Sequence, residues 1–135
     1  MSHFTTLRTQ ITDIDALVAA LADVGYRDVE VHDHAQPLFG YRGDVRSERA
    51  HVIIRRRHVG HASNDIGFER QPDGRFRAVI SEYDRARYNE TWLGRLTARH
   101  AYHATARTLA AQGFDLVDEQ TDRDGTVRLV LRRVT

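Results

Sequence analysis

Residues 12–25 read TDIDALVAALADVG and carry the clearest periodic pattern in the chain. Thr12 is a typical N-cap residue, and two aspartates follow it where negative charge favours the start of a helix. Gly25 suits the position just beyond the end of a helix. The apolar residues recur at helical spacing: Ile14, Leu17, Val18, Leu21 and Val24. The stretch therefore predicts an amphipathic helix that buries one face, with Leu17 and Leu21 at the centre of that face.

Outward from this helix, the sequence alternates between strand patterns and turns. Residues 90–112 predict a second, alanine-rich helix that ends before Gly113. Turns at Asp73-Gly74 and Asp124-Gly125 join strands into antiparallel hairpins. Strands are predicted at residues 3–11, 26–38, 52–59, 65–71, 76–83, 114–119 and 126–134, and a loop or irregular hairpin at 39–50.

The resulting element order, β-α-β-β-β-β-α-β-β, predicts an α+β fold. We expect a mostly antiparallel sheet of about six strands with two helices packed on one face. The other face would be exposed or covered by a partner. With 135 residues and 15.5 kDa, residues 1–135 are expected to form a single α+β domain.

The composition narrows the class of protein. The chain has no cysteine, which excludes disulfides, thiolate nucleophiles and cysteine zinc sites. No apolar run approaches the ~18 residues of a membrane span, and residues 1–7 lack the apolar core of a signal peptide, so we expect a cytoplasmic protein. The net charge is +1, yet residues 42–107 carry 14 Arg against 8 acids. This basic middle favours an acidic partner surface.

Two histidine pairs offer the chemistry of a metal site. His100 and His103 lie three residues apart on the second predicted helix, and His32 and His34 lie two apart on a strand, so each pair shares one face. Brought together, the four would supply a four-nitrogen metal site. The alternative is that the helix pair is half-buried and hydrogen-bonded while the strand pair is exposed. We expect no metal and no cofactor, because no metal-site signature accompanies the histidines.

The run Arg55-Arg56-Arg57 suggests a basic sheet face. On a strand, Arg55 and Arg57 would project to one side, and Arg128 and Arg132 of the last strand could extend the same patch. An Arg-lined sheet with aromatics can bind single-stranded nucleic acid. Residues 52–59 contain no aromatic residue, so a weak nucleic-acid-binding domain is an alternative to a solvated or protein-contact face.

A binding role is favoured because the motifs of catalysis are absent. The Gly40–Gly43 turn matches neither a phosphate loop nor a dinucleotide fingerprint, and no serine lies in a nucleophile elbow. We therefore predict no enzyme and no catalytic residues. The predicted binding surface comprises Tyr41, Arg42, Arg55, Arg57 and Tyr102, since arginine and tyrosine are enriched at the centres of protein interfaces.

Several short stretches resemble one family. They are MSHF at 1–4, LRTQI at 7–11, GY at 25–26, GYRG at 40–43, DIGF at 65–68, LTARHAYH at 96–103, QGF at 112–114 and VRLVL at 127–131. Together they resemble the small conserved family of unknown function found in cyanobacteria, in plastid genomes as a hypothetical chloroplast reading frame, and in other bacteria. The chain departs from the family pattern at two places. His100 stands where an aromatic residue is expected, and residues 60–64 form an insert between strands.

The resemblance supplies no catalytic residues. The bacterial members of this family tend to be encoded beside an AAA+ ATPase of the MoxR type. The resemblance therefore implies an adaptor or regulatory subunit of a cytoplasmic multi-protein assembly, and it suggests such an ATPase as the protein partner.

Overall fold

The computed structural model describes residues 3–134, and the order of elements is the predicted one. The helices are α1 (Ile14–Asp23) and α2 (Glu90–Ala111), and two short 3-10 turns cover Arg56–His58 and Asp84–Ala86. The strands are β1 (Phe4–Arg8), β2 (Glu30–Phe39), β3 (Val45–Ile54), β4 (Ile66–Arg70), β5 (Phe76–Ser81), β6 (Phe114–Thr121) and β7 (Val127–Arg133).

The strands form one antiparallel sheet of five and a separate antiparallel pair. The five-stranded sheet has the order β1-β5-β4-β3-β2, and β6 pairs only with β7 among the described residues. Both helices pack on the same face of the larger sheet, where Leu21 of α1 and Leu96 of α2 join Phe68 and Ile54 in one buried core. The α+β prediction, with two helices on one face, is therefore confirmed.

Helix α1 forms much as its pattern predicts. Leu17 and Leu21 are fully buried, and Gly25 beyond its end has a φ of 107°, a backbone conformation that favours glycine. The cap differs from the prediction by one residue. The Asp13 carboxylate, not the Thr12 hydroxyl, accepts the Ala16 N–H at 3.1 Å, so Asp13 combines a cap with negative charge at the helix N-terminus.

The expectation that the second sheet face would be left to water or a partner is wrong for its central part. Leu38 and Ala50 of the β2–β3 hairpin pack there against Ile53 and Val79, and all four are at most 1% exposed. The hairpin bends because its register is broken: Val31 pairs with Val52, but the next recorded pair joins residues 36 and 50. The chain thus covers part of this face itself.

Residues 39–59 also differ from their prediction. The loop expected at 39–50 is a tight turn followed by β3, closed by a hydrogen bond from the Gly40 N–H to the Asp44 carbonyl at 2.8 Å. Gly43 lies in this turn with a φ of 78°. The strand expected at 52–59 ends at Ile54 instead, and a 3-10 turn follows. Arginines 55–57 therefore do not alternate across a strand.

Helix α2 extends beyond the core that holds its first half. Trp92, Leu93, Leu96 and His100 are buried, whereas none of residues 101–134 is buried. The β6–β7 hairpin packs on α2 through β6. The last predicted hairpin is thus present, but it lies outside the main sheet. No helix within residues 3–134 is both long enough and apolar enough to cross a membrane.

Candidate functional site

Arg55 anchors the region that the sequence analysis proposed as a binding surface. Its guanidinium donates to the Glu30 carboxylate at 2.7 and 2.8 Å and to the Asp65 carboxylate at 2.7 Å. The guanidinium carbon also lies 4.9 Å from the centre of the Phe39 ring. The Arg55 side chain is only 16% exposed and Asp65 is fully buried. Arg55 thus holds the fold together here, and the expectation that it projects with Arg57 from a strand is wrong.

The ion pair between Arg55 and Glu30 shifts the pKa values of both side chains. Hydrogen bonds from Arg55, opposed by partial burial and helped by His32, lower the pKa of Glu30 to about 2. The pKa of Arg55 is raised, chiefly by its hydrogen bonds to Glu30. Both groups are therefore charged near neutral pH, and the cluster has two carboxylates around one guanidinium.

Asp65 and Asn64 fix the 40–43 turn against the segment after β3. The Asp65 carboxylate accepts the Phe39 and Arg56 main-chain N–H groups, each at 2.7 Å. The Asn64 side-chain oxygen accepts the Tyr41 N–H at 2.8 Å. Residues 39–41, which begin at the edge of one stretch that carries the family resemblance, thus contact residues 64–65 at the start of another, and partly buried hydrogen bonds hold the turn.

Three arginines around this anchor, which we term the basic rim, comprise Arg42, Arg56 and Arg57. Arg56 donates to the main-chain carbonyls of residues 41, 61 and 63. Arg57 donates to Nε2 of His58 at 3.1 Å, and Arg42 lies 5.2 Å from the centre of the Tyr41 ring. Within residues 3–134, no carboxylate forms an ion pair with any of the three.

The basic rim borders an open depression of about 480 Å³. Arg55, Arg56 and Arg57 contribute to its lining together with Gly43 of the turn. Glu30 and Asp65 also line it and both pair with Arg55, so this cluster carries one net negative charge, which the three rim arginines exceed. The structure therefore presents uncompensated positive charge on a rigid support, an arrangement suited to an acidic protein surface.

Of the predicted binding surface, Tyr41, Arg42 and Arg57 lie in this region, whereas Tyr102 belongs to another. Tyr102 is on α2, beside the β6–β7 hairpin, with the Arg99 guanidinium 4.4 Å from its ring centre. Burial and the neighbouring Glu119 carboxylate raise the pKa of its hydroxyl. Arg99 in turn pairs with both Asp23 and Glu119. Tyr102 thus takes part in the contact between α1, α2 and β6.

The four histidines of the alternative metal site are engaged separately. His32 contacts Glu30 at 2.8 Å, His103 contacts Asp23 at 2.7 Å, and Nε2 of His100 accepts the Asp13 N–H at 3.1 Å. His34 offers its main-chain carbonyl to the Gln36 side chain. Residues 3–134 contain no group of three or more histidine or acidic side chains placed to hold a metal ion.

The Arg-lined sheet face of the nucleic-acid alternative does not form. Arg55–Arg57 follow the end of β3, and Arg128 and Arg132 lie on β7, which belongs to the other sheet. Neither the position of Arg56 beside the turn nor the pairing of Arg55 with Glu30 was predicted from the sequence. The position of Asp65, a few residues beyond the arginine run, was a usable signal; Glu30 is 25 residues from Arg55 and gave none.

Comparison with known proteins agrees with the family resemblance. A family model described as "Protein of unknown function (DUF1257)" matches residues 20–130. Among relatives, the uncharacterized protein ycf35 of Pyropia yezoensis is 26% identical over 135 residues, and that of Cyanophora paradoxa is 25% identical over 134. Each alignment covers 98% of both chains. No solved structure matches. The chain therefore belongs to the DUF1257 family of unknown function.

Proposed function

We propose that the protein is a non-enzymatic binding module of a multi-protein assembly and that its basic rim contacts an acidic surface of a protein partner. The observation that carries this proposal is that the 40–43 turn and the segment after β3, which a hydrogen bond from Arg56 to the Tyr41 carbonyl joins, carry three arginines that no described carboxylate pairs with. Arg55 beside them is paired with Glu30 and Asp65. Uncompensated arginines on one edge of a depression instead favour an anionic counterpart.

The support beneath the rim favours binding over a merely solvated face. Hydrogen bonds from Tyr41 to Asn64 and from Arg56 to Tyr41 hold the turn in one conformation. A surface that is already ordered loses less conformational entropy when a partner binds. Arginine beside tyrosine is also a composition enriched at interface hot spots. Arg42 and Arg57 are exposed, so they can contact a partner without rearrangement of the core.

An AAA+ ATPase of the MoxR type, which the family resemblance implies, stays a prediction for the identity of that partner. Such an assembly would suit a cytoplasmic adaptor or regulatory subunit. The capture experiment below tests it, because the chains recovered with the protein are identified directly.

The test is a charge reversal on the exposed part of the rim. Untagged protein carrying Arg42→Glu and Arg57→Glu is used to capture partners from a nuclease-treated lysate of the source cells. Recovery of a specific partner should fall at least tenfold, while thermal unfolding stays close to that of the parent protein. Recovery from the parent should also fall as salt is added, because screening weakens attraction between surface charges.

A matched control separates the rim from the net charge of the whole protein. Arg8 and Arg75 are exposed and lie outside the rim, so Arg8→Glu with Arg75→Glu makes the same change in charge elsewhere. This control should keep parental recovery. Equal recovery by the rim variant and the parent would refute the proposal. Arg55 is not used, because reversing its charge beside Glu30 and Asp65 would destabilise the fold.

A further inference from the structure

The β6–β7 hairpin is an incomplete sheet. Its two strands pair only with each other among the described residues, and α2 packs on β6. None of residues 114–134 is buried, and Val130 and Leu131 of β7 are 45% and 38% exposed. A two-stranded sheet without a core of its own is marginally stable in water. A third strand would complete it.

The outer edge of β7 is open to such a strand. Within residues 3–134 no strand other than β6 pairs with it. Unpaired edges present a row of main-chain N–H and C=O groups, and proteins usually block them with charged side chains, proline, bulges or very short strands. The arginines of β7 repel a strand of like charge but not an acidic one. β7 has seven residues without proline or glycine, and the irregularity in the pair is on β6, between Leu116 and Asp118.

Charge determines which kind of strand fits. β7 contains Arg128, Arg132 and Arg133 and no acid, whereas β6 contains three acids and no basic residue. Arg128 pairs with Asp122 at 3.2 Å and Arg132 with Asp115 at 3.4 Å. Both arginine side chains are more than two-thirds exposed, so these pairs contribute little and can be exchanged for others.

A second copy of the chain is a poor occupant. Two β7 edges that met across a two-fold axis would bring like-charged arginines together, which destabilises cross-strand pairs. Pairing of β7 with β6 of another copy would satisfy the charges, but it would leave one edge open and propagate without closing. An acidic strand from a different protein meets the charge requirement and stops after one addition.

We propose that the outer edge of β7 binds an extended, acidic segment of another protein as a third strand of the hairpin sheet. Arg128, Val130 and Arg132 share one face of β7, because alternate residues of a strand point the same way. The added segment would therefore place carboxylates opposite the two arginines, and its alternate apolar side chains would lie on the other face, with Leu129 and Leu131. This strand addition involves none of the basic-rim residues, so it stands or falls separately from the proposed function.

The probe is a capped synthetic peptide of the same length as β7 that alternates glutamate and valine, with a second peptide in which lysine replaces glutamate as its control. The acidic peptide should bind at low salt and should slow amide hydrogen exchange within residues 127–133. The lysine peptide should do neither. Protection of these amides is the decisive readout, because electrostatic adhesion alone does not pair the main chain of β7.

Charge variants then test the assigned residues. Arg128→Glu with Arg132→Glu should lower affinity for the acidic peptide at least tenfold and create binding of the lysine peptide. Arg128→Gln with Arg132→Gln, which adds no repulsion within the hairpin, should remove the discrimination between the peptides. Absence of binding by the acidic peptide, binding without protection of residues 127–133, or concentration-dependent self-association protecting the same amides would overturn the proposal.

Discussion

Replacing Gly67 with alanine tests how the second face of the sheet is covered. A Cβ at this position would lie 2.5 Å from the Ala50 Cβ and 3.0 and 3.3 Å from the two terminal methyl groups of Leu38. Carbon atoms in contact normally lie about 3.5–4.0 Å apart, so the Ala50 contact alone requires a displacement of about 1 Å. Both neighbours are fully buried, which leaves little room for that movement.

The expected cost follows from two opposing effects. Overpacking of a filled core typically costs about 1–3 kcal/mol. Removing a glycine from the middle of a strand regains roughly 0.5–1 kcal/mol. We therefore expect Gly67→Ala to lower the free energy of unfolding by about 1–2 kcal/mol, measured by urea denaturation. Gly94, on α2, has no heavy atom within 4 Å of an added Cβ. Gly94→Ala should therefore stabilise the protein by about 0.5–1 kcal/mol.

A double substitution identifies the clash. Ala50→Gly removes the methyl group that an alanine at 67 would meet, so the loss caused by Gly67→Ala should be smaller in that background by about 1 kcal/mol or more. A Gly67→Ala protein as stable as the parent, or two substitutions that add independently, would show that the β2–β3 hairpin does not pack over Gly67.

Two further results are expected. Leu17→Ala should lower the free energy of unfolding by about 2–5 kcal/mol, because a fully buried leucine at the centre of α1 leaves a cavity; a loss below about 1 kcal/mol in denaturant unfolding would contradict the buried position of this stripe. Burial lowers the pKa of His100 from 6.5, against the opposing effect of the Asp13 carboxylate, so the folded protein binds fewer protons than the unfolded chain. The free energy of unfolding should therefore decrease as pH falls below 6.5. Urea denaturation at a series of pH values should show a weaker pH dependence for His100→Gln than for the parent. An unchanged pH dependence in this variant would show that His100 does not cause the loss of stability.

The parts of the fold that local sequence determines were predictable. Helix α1 has its apolar stripe and Gly25 within one short stretch, and the turn at residues 73–74 lies between the two strands that it joins. The shape of the β2–β3 hairpin could not be predicted in this way. Its bend and its turn depend on contacts with Gly67, Asn64 and Asp65, which lie well beyond the hairpin in the chain. Periodicity carries no information on such distant contacts.

The candidate site shows the same division. The charge distribution predicted a basic surface, and the turn with Tyr41 and Arg42 is joined to the segment with Arg57 by the hydrogen bond from Arg56 to the Tyr41 carbonyl. The structural role of Arg55 could not be predicted, because the sequence does not show that Glu30 of β2 pairs with it. Tyr102 was grouped with the others on residue type alone, and only the packing of α2 against β6 places it elsewhere.

The ion-pair cluster around Arg55 has a consequence for how the sequence can diverge. Loss of the cation alone would leave Glu30 facing the fully buried Asp65 with no positive charge between them. Removing one partner of a buried pair is strongly destabilising, whereas replacing the whole set by apolar residues of similar volume is often neutral. Single substitutions at these three positions should therefore be rare during evolution. A relative with an apolar residue in place of Arg55 is expected to have exchanged Glu30 as well and to have an uncharged hydrogen-bond acceptor in place of Asp65, because that side chain also accepts the Phe39 and Arg56 main-chain N–H groups.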